Sequence, residues 1–147
     1  MKSILLVFTL LLAPVAKSAN PAPRGKCLLH VHATGFRNQK GVAGGEVFTS
    51  PDGWPEQNDK SYADDEVPIS GNHATLSFHL PPGKYGVVVL HDENGNHKLD
   101  RDFLGVPTEG FGFANNPHVF LKSPPFQAAT VNVACPVTNV DVKMIYK

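Results

Sequence analysis

The stretch HATLSFHLPPGKYGVVVLH, residues 73–91, decides the fold class. In its first half Ala74, Leu76, Phe78 and Leu80 alternate with His73, Thr75, Ser77 and His79. Successive side chains of a strand point to opposite faces, so this is a strand with one face in a core and one in water. Pro81-Pro82-Gly83 makes the turn. Lys84 to His91 is a strand of another kind. Tyr85, Val87 and Val89 lie on one face and Val88 and Leu90 on the other, so both faces of its second half need cover.

Working outward, Cys27, Leu29, Val31 and Ala33 alternate with Leu28, His30 and His32, which is again strand periodicity, ended by Gly35. Gly44-Gly45 precedes a short strand, Glu46 to Ser50. Residues 51–66, PDGWPEQNDKSYADDE, read as a polar surface loop in which Trp54 packs down as an anchor. Ala128 to Ala134 and Val140 to Tyr146 are the last strands. No segment beyond the N-terminal leader has a 3.6-residue period, and 13 prolines and 13 glycines suit many short strands and turns. The fold class is all-β: a single immunoglobulin-like β-sandwich of about seven strands. Between Phe103 and Phe126 no strand or helix pattern stands out, yet five phenylalanines make disorder a poor reading. We expect a long ordered flap that folds back over the sheet and covers Val88 and Leu90.

The N-terminus, MKSILLVFTLLLAPVAKSA, has one Lys, an apolar run from Ile4 to Leu12 and small residues near Ala16 and Ala19. That is the layout of a secretory signal peptide, with cleavage between Ala16 and Asn20. The run is shorter than the roughly 20 residues a membrane span needs. Residues 1–19 are therefore assigned to the signal and 20–147 to one domain, secreted or periplasmic, without stable membrane insertion. A domain of this size buries roughly two thirds of its unfolded surface. Thirteen basic and thirteen acidic residues cancel, and no basic stripe appears, which argues against nucleic acid as a partner. In an oxidising compartment the two cysteines, Cys27 and Cys135, are expected to pair.

The most specific chemistry lies in HDENGNHKLD, residues 91–100. A hard cation such as calcium wants six to eight oxygens at once, and a loop can deliver them if every second residue turns inward. Asp92, Asn94 and Asn96 fit positions 1, 3 and 5 of the EF-hand loop. Lys98 would offer its carbonyl at position 7, Leu99 would pin the loop to the core, and Asp100 falls at position 9, with Asp102 beyond. His97 stands where that pattern wants Gly, Gly95 comes one place early, and Phe103 replaces the bidentate Glu at position 12. The loop is thus no EF-hand but a candidate strand-flanked calcium loop. Asn, Asp and Gly also make good metal-free turns.

The block LPPGKYGVVVLHDENGNHKLDRDFLGVPTEGFGFANNP, residues 80–117, resembles a bacterial family of small secreted proteins catalogued as a domain of unknown function. A strand ending in His-Asp, an Asn-Gly-Asn turn, Leu-Asp and a Phe-Leu-Gly-x-Pro-x-Glu-Gly-aromatic-Gly-Phe-x-Asn-Asn segment carry the likeness. It extends more loosely to the first strand and to Tyr146. His97 departs from the family, which usually has Gly there. The resemblance implies a transthyretin-like or carboxypeptidase-regulatory-like β-sandwich and no activity.

No hydrolase elbow, phosphate loop or dinucleotide fingerprint is present. Asp65, Glu66 and Glu109 are carboxylates with nothing in the sequence to pair them across a cleft. His30, His32, His73 and His79 would make a metal site only as a minor alternative to a solvated sheet face. We therefore expect a non-catalytic exported binding module, with Glu109, Phe111, Phe113, Asn115 and Asn116 of the flap as its recognition surface. Its partner would be an envelope protein, a peptide or a surface polymer. A purely structural envelope module and a weak hydrolase acting on an extracellular polymer are the alternatives.

Overall fold

The computed structural model describes residues 25–147, so the signal-peptide assignment lies outside the described residues. Eight strands form two sheets. The three-stranded sheet has the order β4-β1-β8, from His73–Leu80, Cys27–Thr34 and Val137–Lys143. β1 pairs antiparallel with β4 and parallel with β8. The five-stranded sheet runs β3-β2-β5-β6, from Ala63–Val67, Val42–Phe48, Gly83–Asp92 and Gly110–Phe113. β7, Thr130–Val133, pairs with the first half of β5, on residues Gly83–Gly86, while β6 pairs with Val88–His91. This is the all-β sandwich the alternation pointed to, with eight strands rather than seven.

The Pro81-Pro82-Gly83 turn does more than reverse the chain: it carries it from one sheet to the other, since β4 and β5 belong to different sheets. The apolar sides of both strands consequently meet in the core. Leu29, Val31, Leu76, Phe78, Leu80, Val47, Val87 and Val89 are all buried there. Cys27 and Cys135 are joined across 108 residues of sequence, with Cα atoms 4.6 Å apart. In the chain-entropy model, closing a loop of that length contributes about 4–5 kcal/mol. Among the described residues, no helix is long and apolar enough to cross a membrane.

Several boundaries move from their expected places. The second strand begins at Val42, and Gly44-Gly45 sit inside it rather than before it. A Cβ on Gly45 would come within 2.9 Å of Leu76 and 3.2 Å of Phe78, so bare backbone is what lets the sheets approach here. The polar loop 51–66 gives up its end to β3. Ala128–Ala134 narrows to β7, preceded by a 3-10 turn over Phe126–Ala129, and Val140–Tyr146 shifts back to β8. The flap covers Val88 and Leu90 only in part. Its Gly110–Phe113 joins the edge of β5 as a strand, because Gly110 and Gly112 leave room for Tyr146 and Val142 on the inner side. Val88 and Leu90 are thus flanked by Phe113 and Phe111 and remain half-buried.

Candidate binding cleft and the oxygen-rich loop

The outer face of the five-stranded sheet follows from strand register alone. Asp64 of β3 lies opposite Glu46 of β2, Glu46 opposite Val88 of β5, and Val88 opposite Phe113 of β6. In the neighbouring row Glu66 lies opposite Gly44, Gly44 opposite Leu90, and Leu90 opposite Phe111. Directly opposed residues share a face, so the surface grades from carboxylates at one edge to aromatic rings at the other.

Loops raise walls around this floor and close a cleft of about 1310 Å³. One wall is the 53–58 segment, anchored as expected by Trp54. The indole of Trp54 donates to the Pro124 carbonyl at 2.9 Å and packs against Phe48, Phe113 and Phe126, with ring centroids 5.4–5.7 Å apart. The second wall is the 97–107 loop, tied to the first by Arg101 donating to Glu56 and by Asn58 donating to the His97 carbonyl. The third is the 119–123 segment, which brings Phe120 and Leu121 to the rim at 74% and 85% exposure. These two side chains are apolar surface left in water beside a pocket.

Glu46 is the floor's unusual group. One of its carboxyl oxygens is buried without a hydrogen-bond partner. Burial, and secondly the facing Asp64, push its carboxyl up to about 7. Glu66 has a different fate: it binds His97 Nδ1 at 2.6 Å, and that contact holds the imidazole above its ordinary range.

The oxygen-rich loop forms the base of the second wall. Asp92 is buried, and its two oxygens accept backbone N–H groups of Gly95, Asn96 and His97 at 2.7, 3.2 and 2.8 Å. Asn94 and Asn96 donate their amide N–H groups to the two oxygens of Asp100 at 2.6 and 2.8 Å. Their own oxygens accept the N–H groups of Asn96 and Lys98. Asp92, Asn94, Asn96 and Asp100 are therefore knit into one hydrogen-bonded turn. Asp102 stands apart, accepting from Leu104 and Val106 in a turn of its own. Leu99 packs against Phe111 and Phe113 in the second apolar cluster, as a pinning residue should. His97 has φ 59°, a left-handed conformation that costs a β-carbon-bearing residue roughly 1–2 kcal/mol. The position does call for a Gly-like backbone, and His97 occupies it with its ring bound to Glu66.

The five expected recognition residues do not form one surface. Glu109 is buried beneath the loop and accepts from the N–H groups of Glu93 and Asp100, bracing both ends of the turn. Phe111 and Phe113 are core, 6% and 3% exposed, and offer the cleft only an edge. Asn115 donates to the Ala128 and Thr130 carbonyls, and Asn116 clasps β8 through Asp141 and Lys143. Glu46 and Asp64 were not among the expected site residues. The sign that reveals them is two acidic residues on strands whose register sets them face to face, and no register can be read for β3 from a sequence that looks like a polar loop. Glu66, Asp92 and His97 bring ligand-type atoms within 4.8 Å of one another, but each is already hydrogen-bonded. On the other sheet, His30 and His32 bond to Ser77 and Thr75 of β4, and His32 also to Asn139.

An all-β two-sheet sandwich with a ligand-sized cleft on one outer face is the class these features define. The chain belongs to the bacterial family described as "Uncharacterized protein conserved in bacteria (DUF2141)", which matches residues 31–141. No match is found among curated proteins or among solved structures.

Proposed function

We propose that the protein is an exported, non-catalytic binding module whose ligand lies in the cleft on the outer face of the five-stranded sheet. The observation that carries this reading is the cleft itself: about 1310 Å³, large enough for a small-molecule ligand, floored by Val88 and Leu90 and rimmed by exposed Phe120 and Leu121. The disulfide supports an oxidising compartment, and with it the secretory reading of the N-terminus. Recognition passes from the expected flap residues to Glu46, Asp64, Val88 and Leu90, which face the open space.

Trp54 is the chain's one tryptophan and stands at the cleft wall, so its fluorescence reports occupancy. A panel of amphiphiles, peptides and soluble polysaccharides is expected to include members that change Trp54 emission saturably. Leu90→Lys, which fills the floor with a charged chain, is expected to abolish that change while the protein stays folded. Product formed from any panel member would replace the binding reading with the hydrolase alternative.

Calcium is proposed as an aid to the wall rather than as a reagent. Turning the Asn94 and Asn96 amides over would aim two oxygens at the Asp100 carboxylate, an arrangement that only a cation between them makes favourable. With so few carboxylates the affinity would be weak, on the order of 0.1–1 mM. Calcium added to chelator-stripped protein should raise the melting temperature; no shift at several times that concentration removes the ion from the account.

A further inference from the structure

We propose that the cleft takes a cationic amphiphile, one protonated amine beside an apolar body, with the amine seated between Glu46 and Asp64 and the body laid along Val88 and Leu90. The inference rests on the cleft reading above and adds the ligand's charge and orientation.

Three observations lead there. Glu46 and Asp64 are directly opposed across β2 and β3, an arrangement that costs stability when both are ionised. Among the described residues neither takes part in an ion pair, whereas Arg101 is held by Glu56 and His97 by Glu66. The buried oxygen of Glu46 lacks a donor, and an ammonium carries three donors and no acceptor. Finally, the rows run from carboxylate to aliphatic to aromatic across the sheet. A ligand matched to them must be charged at one end and greasy at the other. An anionic amphiphile would add a third negative charge; a neutral one would leave the pair uncompensated.

The raised carboxyl of Glu46 gives the site a pH signature. From β3 it faces Asp64, with Glu66 one row away; from β5 it faces only Val88. The walls contribute Glu56, His97 and the cations Lys98, Arg101, Lys122 and Lys147. An ammonium favours the ionised carboxylate, so binding releases a proton, and affinity rises with pH up to about 7 and levels off above it. The same amine chemistry could come from a free amphiphile or from a lysine side chain on a short apolar peptide.

The experiment is a titration of the disulfide-bonded protein with decylamine, decanol, decanoate and acetyl-Leu-Lys-Leu-amide, each below its aggregation concentration, read by Trp54 fluorescence and calorimetry. At about pH 8 decylamine is expected to bind ~10-fold or more tighter than decanol and decanoate, a difference of about 1.4 kcal/mol. The preference, read as the ratio of decylamine to decanol affinity, should shrink to within about twofold at about pH 5.5, in Glu46→Gln and in Asp64→Asn. Melting curves establish that both variants are folded. A peptide that binds tighter than decylamine assigns the amine to lysine, and a weaker one assigns it to a free amphiphile; either order supports the class. Decylamine no tighter than decanol overturns the cationic ligand but leaves the cleft standing. No saturable binding by any probe overturns the cleft reading as well. A preference untouched in both variants places the amine elsewhere and overturns the assignment to Glu46 and Asp64.

Discussion

The two outer faces of the sandwich are built by the same rule and finished differently. On the three-stranded sheet, alternate polar residues of adjacent strands meet donor to acceptor: His30 with Ser77, and His32 with both Thr75 and Asn139. Each of these five side chains has a partner within the sheet. On the five-stranded sheet, the corresponding positions set a carboxylate against a carboxylate and leave aliphatic chains half-covered. Opposed like charges cost stability rather than add it, and the difference marks this face as the one on which the proposed ligand would sit.

The largest expected effect tests whether the cleft's wall is rigid in its own right. Asp92→Ala strips three backbone N–H groups of their acceptor in a buried place. It should cost about 2–4 kcal/mol, measured by urea unfolding. A cost near zero would mean that the turn is held elsewhere, and the wall with it.

Next in size is Glu46→Gln. Burial, and secondly the facing Asp64, push the native carboxyl up to about 7 from an ordinary 4.5. Between those values the folded state binds more protons than the unfolded one, so stability falls as pH rises through this window and is fully restored only below the lower value. Gln removes that loss. The variant should match the parent at about pH 4 and exceed it by about 1–3 kcal/mol at about pH 8, after allowance for solvent near the carboxyl. Equal stability at both pH values would make this face as complete as the other.

The smallest effect belongs to the finished face. His32→Ala breaks two exposed hydrogen bonds and should cost about 1 kcal/mol or less. Amphiphile binding on the opposite sheet should stay unchanged, and a loss there would show that the two faces are not independent.

How much of this was legible in the sequence depended on which residues carried the alternation. β1, β4 and β5 declared themselves because apolar chains recur at every second place. β3, ADDEV, hid because its inward positions are held by Ala63, Asp65 and Val67, too weak a signal inside a polar run. β6, GFGF, hid because glycine fills its inward places, and glycine reads as turn until one knows that Tyr146 and Val142 press against it. The loop's shared focus was legible from the even spacing of Asp92, Asn94, Asn96 and Asp100; Glu109 as its brace was not, since that contact joins residues 16 apart across an irregular loop. The Glu46–Asp64 pair depends on register between two strands, which the sequence of neither one encodes alone.

The pairing of β1 with β8 sets a condition on how the protein comes into being. The first strand finds its parallel partner only when Val137–Lys143 is available, and the cysteine that secures it stands at position 135. Nearly the whole polypeptide must therefore be delivered before the smaller sheet can close, and contacts of such long sequence separation form late. On the proposed secretory route, a chain threaded end-first through a narrow pore would stay pliable for the length of its passage and set into shape only on the far side.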